Sequence, residues 1–325
     1  MGASTNLFLA LLNDRGADSL IIAHRGDSFH APENTIEAAR SAQQAGAPAW
    51  ELDVQLTRDG VAIVLHDDSL LRTTDVAIRF KEDPRAGSGF RVADFDLAEV
   101  RTLDAGSWFV DPNGGPRSAR WFGTLEKLEV SSIEHYRSGR VKIPTLAEAL
   151  LLTLECDWFV NVEIKSFPDH REGLVEQVLQ TIAHTGAGPR SLISSFDHSD
   201  VAYAANRPGR EYAAGVLTST PLYRTDTYAA DHVGADTVHV SAEVLGSESI
   251  AYRRRPAGRS LRTDLISELK KRHMPILAYT VNDHGPDSLA EHMAQIGVDG
   301  LFTDDPHGLR RYFERGRAEE PGGPR

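Results

Sequence analysis

The chain has 325 residues, of which 41% are hydrophobic and 25% charged, the balance of a globular protein able to bury a large core. Acids outnumber bases 47 to 35, a formal net charge of -12 that argues against nucleic acid or an anionic membrane surface as the main partner. Cys156 is the only cysteine, which excludes an intramolecular disulfide and a cysteine-rich zinc site and fits a cytoplasmic protein.

Taken in chain order, the first apolar stretch is Leu7–Leu12. It is short and no basic residue precedes it, so it reads as a short helix rather than a signal peptide. No apolar run approaches the roughly 20 residues of a membrane helix, and no stable membrane insertion is expected. Eight apolar segments then read as strands: Leu20–His24, Ala49–Val54, Trp158–Lys165, Ser191–Phe196, Ala213–Leu217, Thr237–Val240, Ile276–Val281 and Gly300–Thr303. Helical patterns separate them, which predicts an α/β fold of the (β/α)8 TIM-barrel type with the Leu7–Leu12 helix lying on it. A doubly wound sheet would place a glycine-rich phosphate loop after the first strand, where this chain has His24-Arg25-Gly26-Asp27.

Two helix starts are marked. Asn34 precedes a periodic run with Glu37 three positions on and Gly46 as a stop, and Thr145 with Glu148 forms a capping box. Val54–Thr57 and Val61–Leu65 flank Asp59-Gly60, a two-residue hairpin signal. That register sets Arg58 against Val61 and therefore Asp53 against His66. From about Arg72 to Val141 the rhythm breaks, and this stretch reads as an insertion, with Trp108, Phe109, Trp121 and Phe122 as candidates for an apolar lip. The expected organisation is one barrel domain over 1–315, with the insertion at about 72–141 and a disordered tail over 316–325.

In a barrel the active site lies at the carboxyl ends of the strands. Glu51 and Asp53 are two apart and share one strand face, as do Glu163 and Lys165. Three converging carboxylates repel one another unless a cation sits among them, and oxygen donors favour a hard ion, Mg2+ or Ca2+. The competing reading is a structural ion-pair network with Lys165 and Arg25 as partners. His24 ends the first strand and the hairpin brings His66 back to the same level. Two imidazoles beside a hard metal suit general acid and general base catalysis. Phe196, ending the fourth strand, walls an alcohol site or packs in the core. His239 and Glu243 follow the sixth strand and read as exposed loop residues, with a pocket role as the alternative.

An ordered set of motifs runs from about Ile21 to Pro306: His24-Arg25-Gly26, Ala31-Pro32-Glu33-Asn34-Thr35, Glu51-Leu52-Asp53-Val54, Asp59-Gly60, His66-Asp67, Asn161-Val162-Glu163-Ile164-Lys165, Ser195-Phe196, Tyr279-Thr280-Val281-Asn282 and Gly300-Leu301-Phe302-Thr303-Asp304. Together they resemble the glycerophosphodiester phosphodiesterase family. The resemblance implies a barrel with an insertion after the second-strand hairpin, and phosphodiesterase activity that needs Mg2+ or Ca2+. Carried over by motif, Glu51, Asp53 and Glu163 match the metal ligands and His24 and His66 the catalytic pair. Arg25 and Lys165 match positions near the phosphate, Glu33 a supporting carboxylate, and Tyr279 the substrate wall. The chain departs from the pattern at Tyr279, where the family usually has Trp, at His30, and in the length of Asp111–Arg140. The expected partner is a small-molecule phosphodiester, cleaved to an alcohol and sn-glycerol 3-phosphate, with the oligomeric state open. Lipid phosphodiesters, or a non-catalytic phosphodiester-binding member, are the alternatives. A barrel amidohydrolase would carry His-x-His on its first strand, and none occurs.

Overall fold

A computed structural model describes residues 6–14, 18–111, 127–167, 173–220, 222–246 and 261–319. Nine strands form one sheet: β1 (Leu20–Ala23), β2 (Ala49–Leu56), β3 (Ala62–Val64), β4 (Phe159–Ile164), β5 (Ser191–Ser195), β6 (Ala213–Thr218), β7 (Thr237–Ser241), β8 (Ile276–Tyr279) and β9 (Gly300–Thr303). β1 pairs in parallel with both β2 and β9, which closes eight parallel strands into a barrel, while β3 is an antiparallel hairpin arm on β2. Each of the eight expected strands is present, with ends moved by a residue or two. The TIM barrel read from the alternation of strands and helical patterns is the observed fold.

Helices α1 (Leu7–Asp14), α2 (Ile36–Gln44), α3 (Val130–Tyr136), α4 (Leu146–Glu155), α5 (Leu174–Thr185), α6 (His198–Ala205), α7 (Leu261–Lys271), α8 (Leu289–Gln295) and α9 (Pro306–Glu319) are the longer ones described. Among the described residues no helix is long and apolar enough to cross a membrane. The capping box at Thr145 forms as expected, with Glu148 reaching back to the Thr145 N–H at 2.8 Å. The start of α2 differs by one position: Thr35 caps it, accepting from the Ala38 N–H at 3.2 Å, and Asn34 is freed for another task. α9 runs past Gly316 to Glu319, beyond the expected start of a tail, and 320–325 lie outside the described residues.

The barrel interior is divided by polarity. At the amino ends of the strands, Leu20, Ile22, Ala49, Leu192, Ala213, Leu277 and Phe302 form an apolar plug completed by Phe8 and Leu12 of α1. Asn6 anchors that helix by donating to the carbonyls of Gly188, Ser191 and Glu211. The Leu7–Leu12 stretch is thus a stopper for the bottom of the barrel, and polar inward-facing residues collect at the opposite end. His239 lies in β7, fully buried and 5.4 Å from the Phe302 ring, not in an exposed loop as its surroundings in the sequence suggest.

The hairpin closes differently from the expected two-residue turn. Val54 opposes Val64, Gln55 opposes Ile63 and Leu56 opposes Ala62. The loop is Arg58-Asp59-Gly60, with Gly60 at φ 78 and the Gly60 N–H on the Thr57 carbonyl, a three-residue turn that shifts the register by one. Leu65, not His66, therefore stands across from Asp53, its N–H 2.9 Å from the Asp53 carbonyl. The described residues that follow the hairpin pack against its Ile63 and Leu65 around Leu70, Phe90, Phe95, Leu103 and Phe109. Phe109 is buried and Trp108 packs on the same cluster, so neither forms an exposed lip; Trp121 and Phe122 lie outside the described residues.

Candidate active site

β1 ends at Ala23 and the chain turns at once, with φ 57 at Arg25 and φ 80 at Gly26. A Cβ at Gly26 would lie 2.6 Å from the backbone carbon of Ala38, so glycine is what lets this turn sit on α2. The left-handed Arg25 delivers two groups to the barrel mouth. Its N–H donates to Glu51 Oε2 at 2.7 Å, and its guanidinium lies 2.7 Å from Glu33 and 3.3 Å from Asp53. Asn34, also left-handed at φ 58, clamps Asp53 from both sides: its Nδ2 donates to Oδ2 at 2.8 Å and its Oδ1 accepts the Asp53 N–H at 3.1 Å.

The parallel pairing of β2 with β4 sets Asp53 beside Glu163, and the two-residue spacing on β2 adds Glu51 to the same face. All three carboxylates are buried, and one oxygen from each lies within 4.8 Å of the others. Lys165 sits 3.0 Å from Asp53 Oδ1 and contacts Glu163. The ion pairs of the competing structural reading are therefore real, but they leave Glu51 Oε1 buried with no hydrogen-bond partner. At about 4 Å and an effective dielectric near 20, a like-charged pair costs about 4 kcal/mol. Burial and the neighbouring Asp53 charge accordingly push the Glu51 carboxyl well above its ordinary range. Burial also opposes ionised Asp53, but Lys165 and Arg25 outweigh it and hold that carboxyl far below the usual range. Three hard oxygen donors, one with an unclaimed oxygen, are a donor set for a divalent cation.

Both expected histidines are at this mouth, each with an aspartate on Nδ1. His24 Nδ1 is 2.6 Å from Asp304 Oδ1 and its Nε2 is 4.0 Å from Glu51. Asn282 donates to the other Asp304 oxygen at 2.5 Å. Burial and the Arg25 charge disfavour protonated His24, but the Asp304 bond and Glu51 prevail and raise its pKa. Burial likewise opposes ionised Asp304, and the His24 bond and charge overcome it, holding Asp304 at about 2. His66 Nδ1 is 2.6 Å from Asp67 Oδ1. Asp67 is gripped by Arg72, which also forks onto Glu33 at 2.7 and 2.8 Å, and Glu33 returns to Arg25. Burial opposes ionised Glu33, but Arg25 and Arg72 hold it at about 2.

Phe196 is 48% exposed, so it lines the mouth rather than the core, and its ring meets Tyr279 edge-on at 5.8 Å. The Lys165 ammonium is 6.0 Å from the Phe196 ring centroid. The structure thus brings together His24, His66, Arg25, Lys165, Glu51, Asp53 and Glu163, with Phe196 and Tyr279 at the edge. The sequence assigned no role to Asp304, Asn282, Asp67 or Arg72, and to Asn34 only that of a helix start. Asp304 had a signal, because it follows the strand that pairs with β1 and so ends level with His24. Asp67 is the chain neighbour of His66. Arg72 had none, since only the folded loop carries it back to Glu33.

Replacing Asp304 by Asn keeps a hydrogen-bond acceptor but removes the charge that favours the imidazolium. The His24 pKa, followed by the NMR shift of its ring protons, is expected to fall by roughly 1–3 units in Asp304→Asn. An unchanged value would mean that Asp304 does not set the basicity of His24.

Comparison with known proteins agrees with this geometry. The model of the glycerophosphoryl diester phosphodiesterase family matches residues 24–307. A glycerophosphodiester phosphodiesterase from Caldanaerobacter subterraneus is 33% identical over 298 residues, covering 92% of this chain and 99% of that protein. Another from Bacillus altitudinis is 30% identical over 288 residues, covering 88% and 94%. A solved phosphodiesterase from Oleispira antarctica, in complex with the product sn-glycerol-3-phosphate, superposes with a TM-score of 0.67 at 25% identity, covering 90% of this chain and 96% of that one. The chain belongs to the glycerophosphoryl diester phosphodiesterase family and is a phosphoric diester hydrolase.

Proposed function

We propose that this chain hydrolyses small glycerophosphodiesters to an alcohol and sn-glycerol 3-phosphate, with a divalent cation, Mg2+ or Ca2+, held by Glu51, Asp53 and Glu163. The observation that carries this reading is the unclaimed Glu51 oxygen within a buried three-carboxylate cluster flanked by two aspartate-backed imidazoles. The product bound to the Oleispira phosphodiesterase supports the glycerophosphate side of the substrate. One cysteine and no disulfide fit a cytoplasmic enzyme.

A divalent cation held by Glu51, Asp53 and Glu163 would supply Lewis-acid charge to the phosphate. Arg25 and Lys165 add fixed positive charge around the phosphate, where charge grows in the transition state. One imidazole takes the proton of the attacking oxygen, either water itself or the neighbouring glycerol hydroxyl; in the second case the displaced alcohol leaves a cyclic glycerophosphate, which water then opens to sn-glycerol 3-phosphate. The other gives a proton to the departing alkoxide. Asp304 and Asp67 orient the two rings through Nδ1 and leave each Nε2 for proton transfer. Phe196 and Tyr279 wall the alcohol side of the site.

Turnover of glycerophosphocholine and glycerophosphoethanolamine tests the reading directly. Activity is expected with Mg2+ or Ca2+, to be lost in excess EDTA after dialysis, and to fall at least about a hundredfold in Glu51→Gln with its fold retained. Full activity in EDTA would contradict it. The two histidines are expected to separate by leaving group. An alkoxide needs protonation and p-nitrophenolate hardly does, so the variant lacking the acid loses about 10²–10⁴ in kcat/KM on glycerophosphodiesters and much less on bis-p-nitrophenyl phosphate. The variant lacking the base loses on both. Equal losses for His24→Ala and His66→Ala on every substrate would defeat the division.

A further inference from the structure

A second group of ligating side chains lies at the barrel mouth, outside the site described above. Asp27 and His30 come from the turn after β1, and Asp305 follows β9. One donor atom from each lies within 4.8 Å of the others. Asp27 Oδ1 is 2.9 Å from His30 Nδ1, and Asp305 Oδ2 is 3.3 Å from His284 Nε2.

Each aspartate has one oxygen fixed by the scaffold and the other turned to an imidazole. Ser41 Oγ donates to Asp27 Oδ2 at 2.7 Å, and the Gly308 N–H donates to Asp305 Oδ1 at 2.7 Å. Asp27 is 2% exposed, yet among the described residues no lysine or arginine forms an ion pair with either aspartate; His30 and His284 are their partners. A Cβ at position 308 would lie 2.3 Å from Asp305 Oδ2 and 2.4 Å from His284 Nε2, so any larger residue there would push on the tips of that pair.

Buried or half-buried carboxylates facing only imidazoles, with their second oxygens tied down, are how metal ligands are held in position. We propose that Asp27, His30 and Asp305 form a second metal site, for a first-row divalent ion of the Zn2+ class, with His284 beside it as the candidate fourth donor. Mixed nitrogen and oxygen donors suit Zn2+ or Co2+ better than Mg2+, which separates this site in chemistry from the all-oxygen cluster of Glu51, Asp53 and Glu163. Tetrahedral donors about 2.0–2.1 Å from zinc stand roughly 3.3 Å apart, so the Asp27–His30 contact opens by a few tenths of an ångström to admit the ion. The site joins the turn that follows β1 to the one that follows β9. Ser28, inside the first of these turns, hydrogen-bonds Asp304 Oδ1 at 3.2 Å, so the ion would brace the backing of the His24–Asp304 pair.

Metal-stripped full-length protein, dialysed against Co2+ and then counted for bound metal, tests the proposal. Two equivalents are expected in the wild type. Glu51→Gln should keep one, with the visible bands of cobalt on nitrogen and oxygen donors. His30→Ala and Asp305→Asn should each lose that one and keep the cluster ion. A wild-type count that neither His30→Ala nor Asp305→Asn lowers, whatever the total, would overturn it. Diethylpyrocarbonate labelling of the wild type, read peptide by peptide, covers the case in which the variants misfold. Zn2+ should protect His30 from carbethoxylation, in the wild type and in Glu51→Gln alike, and unprotected His30 at saturating Zn2+ would overturn the site. Failure of the Glu51 cluster to bind metal shows separately, as the absence of an equivalent that Glu51→Gln removes.

Discussion

Glu51 and Asp53 point the same way from β2, and the pairing with β4 lays Glu163 against Asp53, so three carboxylates share one buried space. The residues around that space answer its charge. Arg25 turns back at φ 57 to give Glu51 a backbone N–H and Asp53 a guanidinium, Lys165 leans onto Asp53 and Glu163, and Asn34 pins Asp53. These cations are themselves shared. Arg25 is divided with Glu33, and Glu33 with Arg72, which also serves Asp67. The network spreads positive charge among several acids without closing the account at Glu51, and that residue is where a divalent ion has most to gain.

The same frame explains the division of the barrel. A helix carrying Phe8 and Leu12 stops the lower end with apolar contacts, so the strands can spend their upper inward positions on polar groups. Burial of that kind is costly unless each group is paired. The His24–Asp304–Asn282 chain and the His66–Asp67–Arg72 chain meet the cost by linking each imidazole to a charged or amide partner held by another segment. Each chain also fixes which ring nitrogen is left free. Under the proposed mechanism, structural support and catalytic orientation are the same bonds.

Much of this was legible in the sequence because it depends on spacing within one strand. The residue pairs 51 and 53, and 163 and 165, need only the two-residue period of a strand to face the same way, and the eight strands recur with the period of a barrel. What the sequence hid depends on contacts between segments or on a one-residue difference in a turn. Asp59-Gly60 reads as a two-residue turn, yet Gly60 in a left-handed conformation closes a three-residue loop and moves Leu65 opposite Asp53. Asn34 reads as a helix cap, yet Thr35 takes that role and Asn34 goes to Asp53. His239 lies within the segment Thr237–Val240 that reads as a strand, so it belongs inside the barrel and not to the loop that follows. Phe109 reads as a lip and is core, because the described residues after the hairpin share one apolar cluster with Ile63 and Leu65 of the hairpin.

The central claim is that one divalent ion completes the Glu51–Asp53–Glu163 cluster. Crystals grown with Mn2+, a hard ion whose anomalous signal identifies it, test this most directly when data are collected on both sides of the manganese edge. A peak ringed by oxygens of all three carboxylates, absent from crystals of Glu51→Gln, is the expected result. A cluster without anomalous density at saturating Mn2+, with Lys165 and Arg25 still closed over the three carboxylates, would contradict the account.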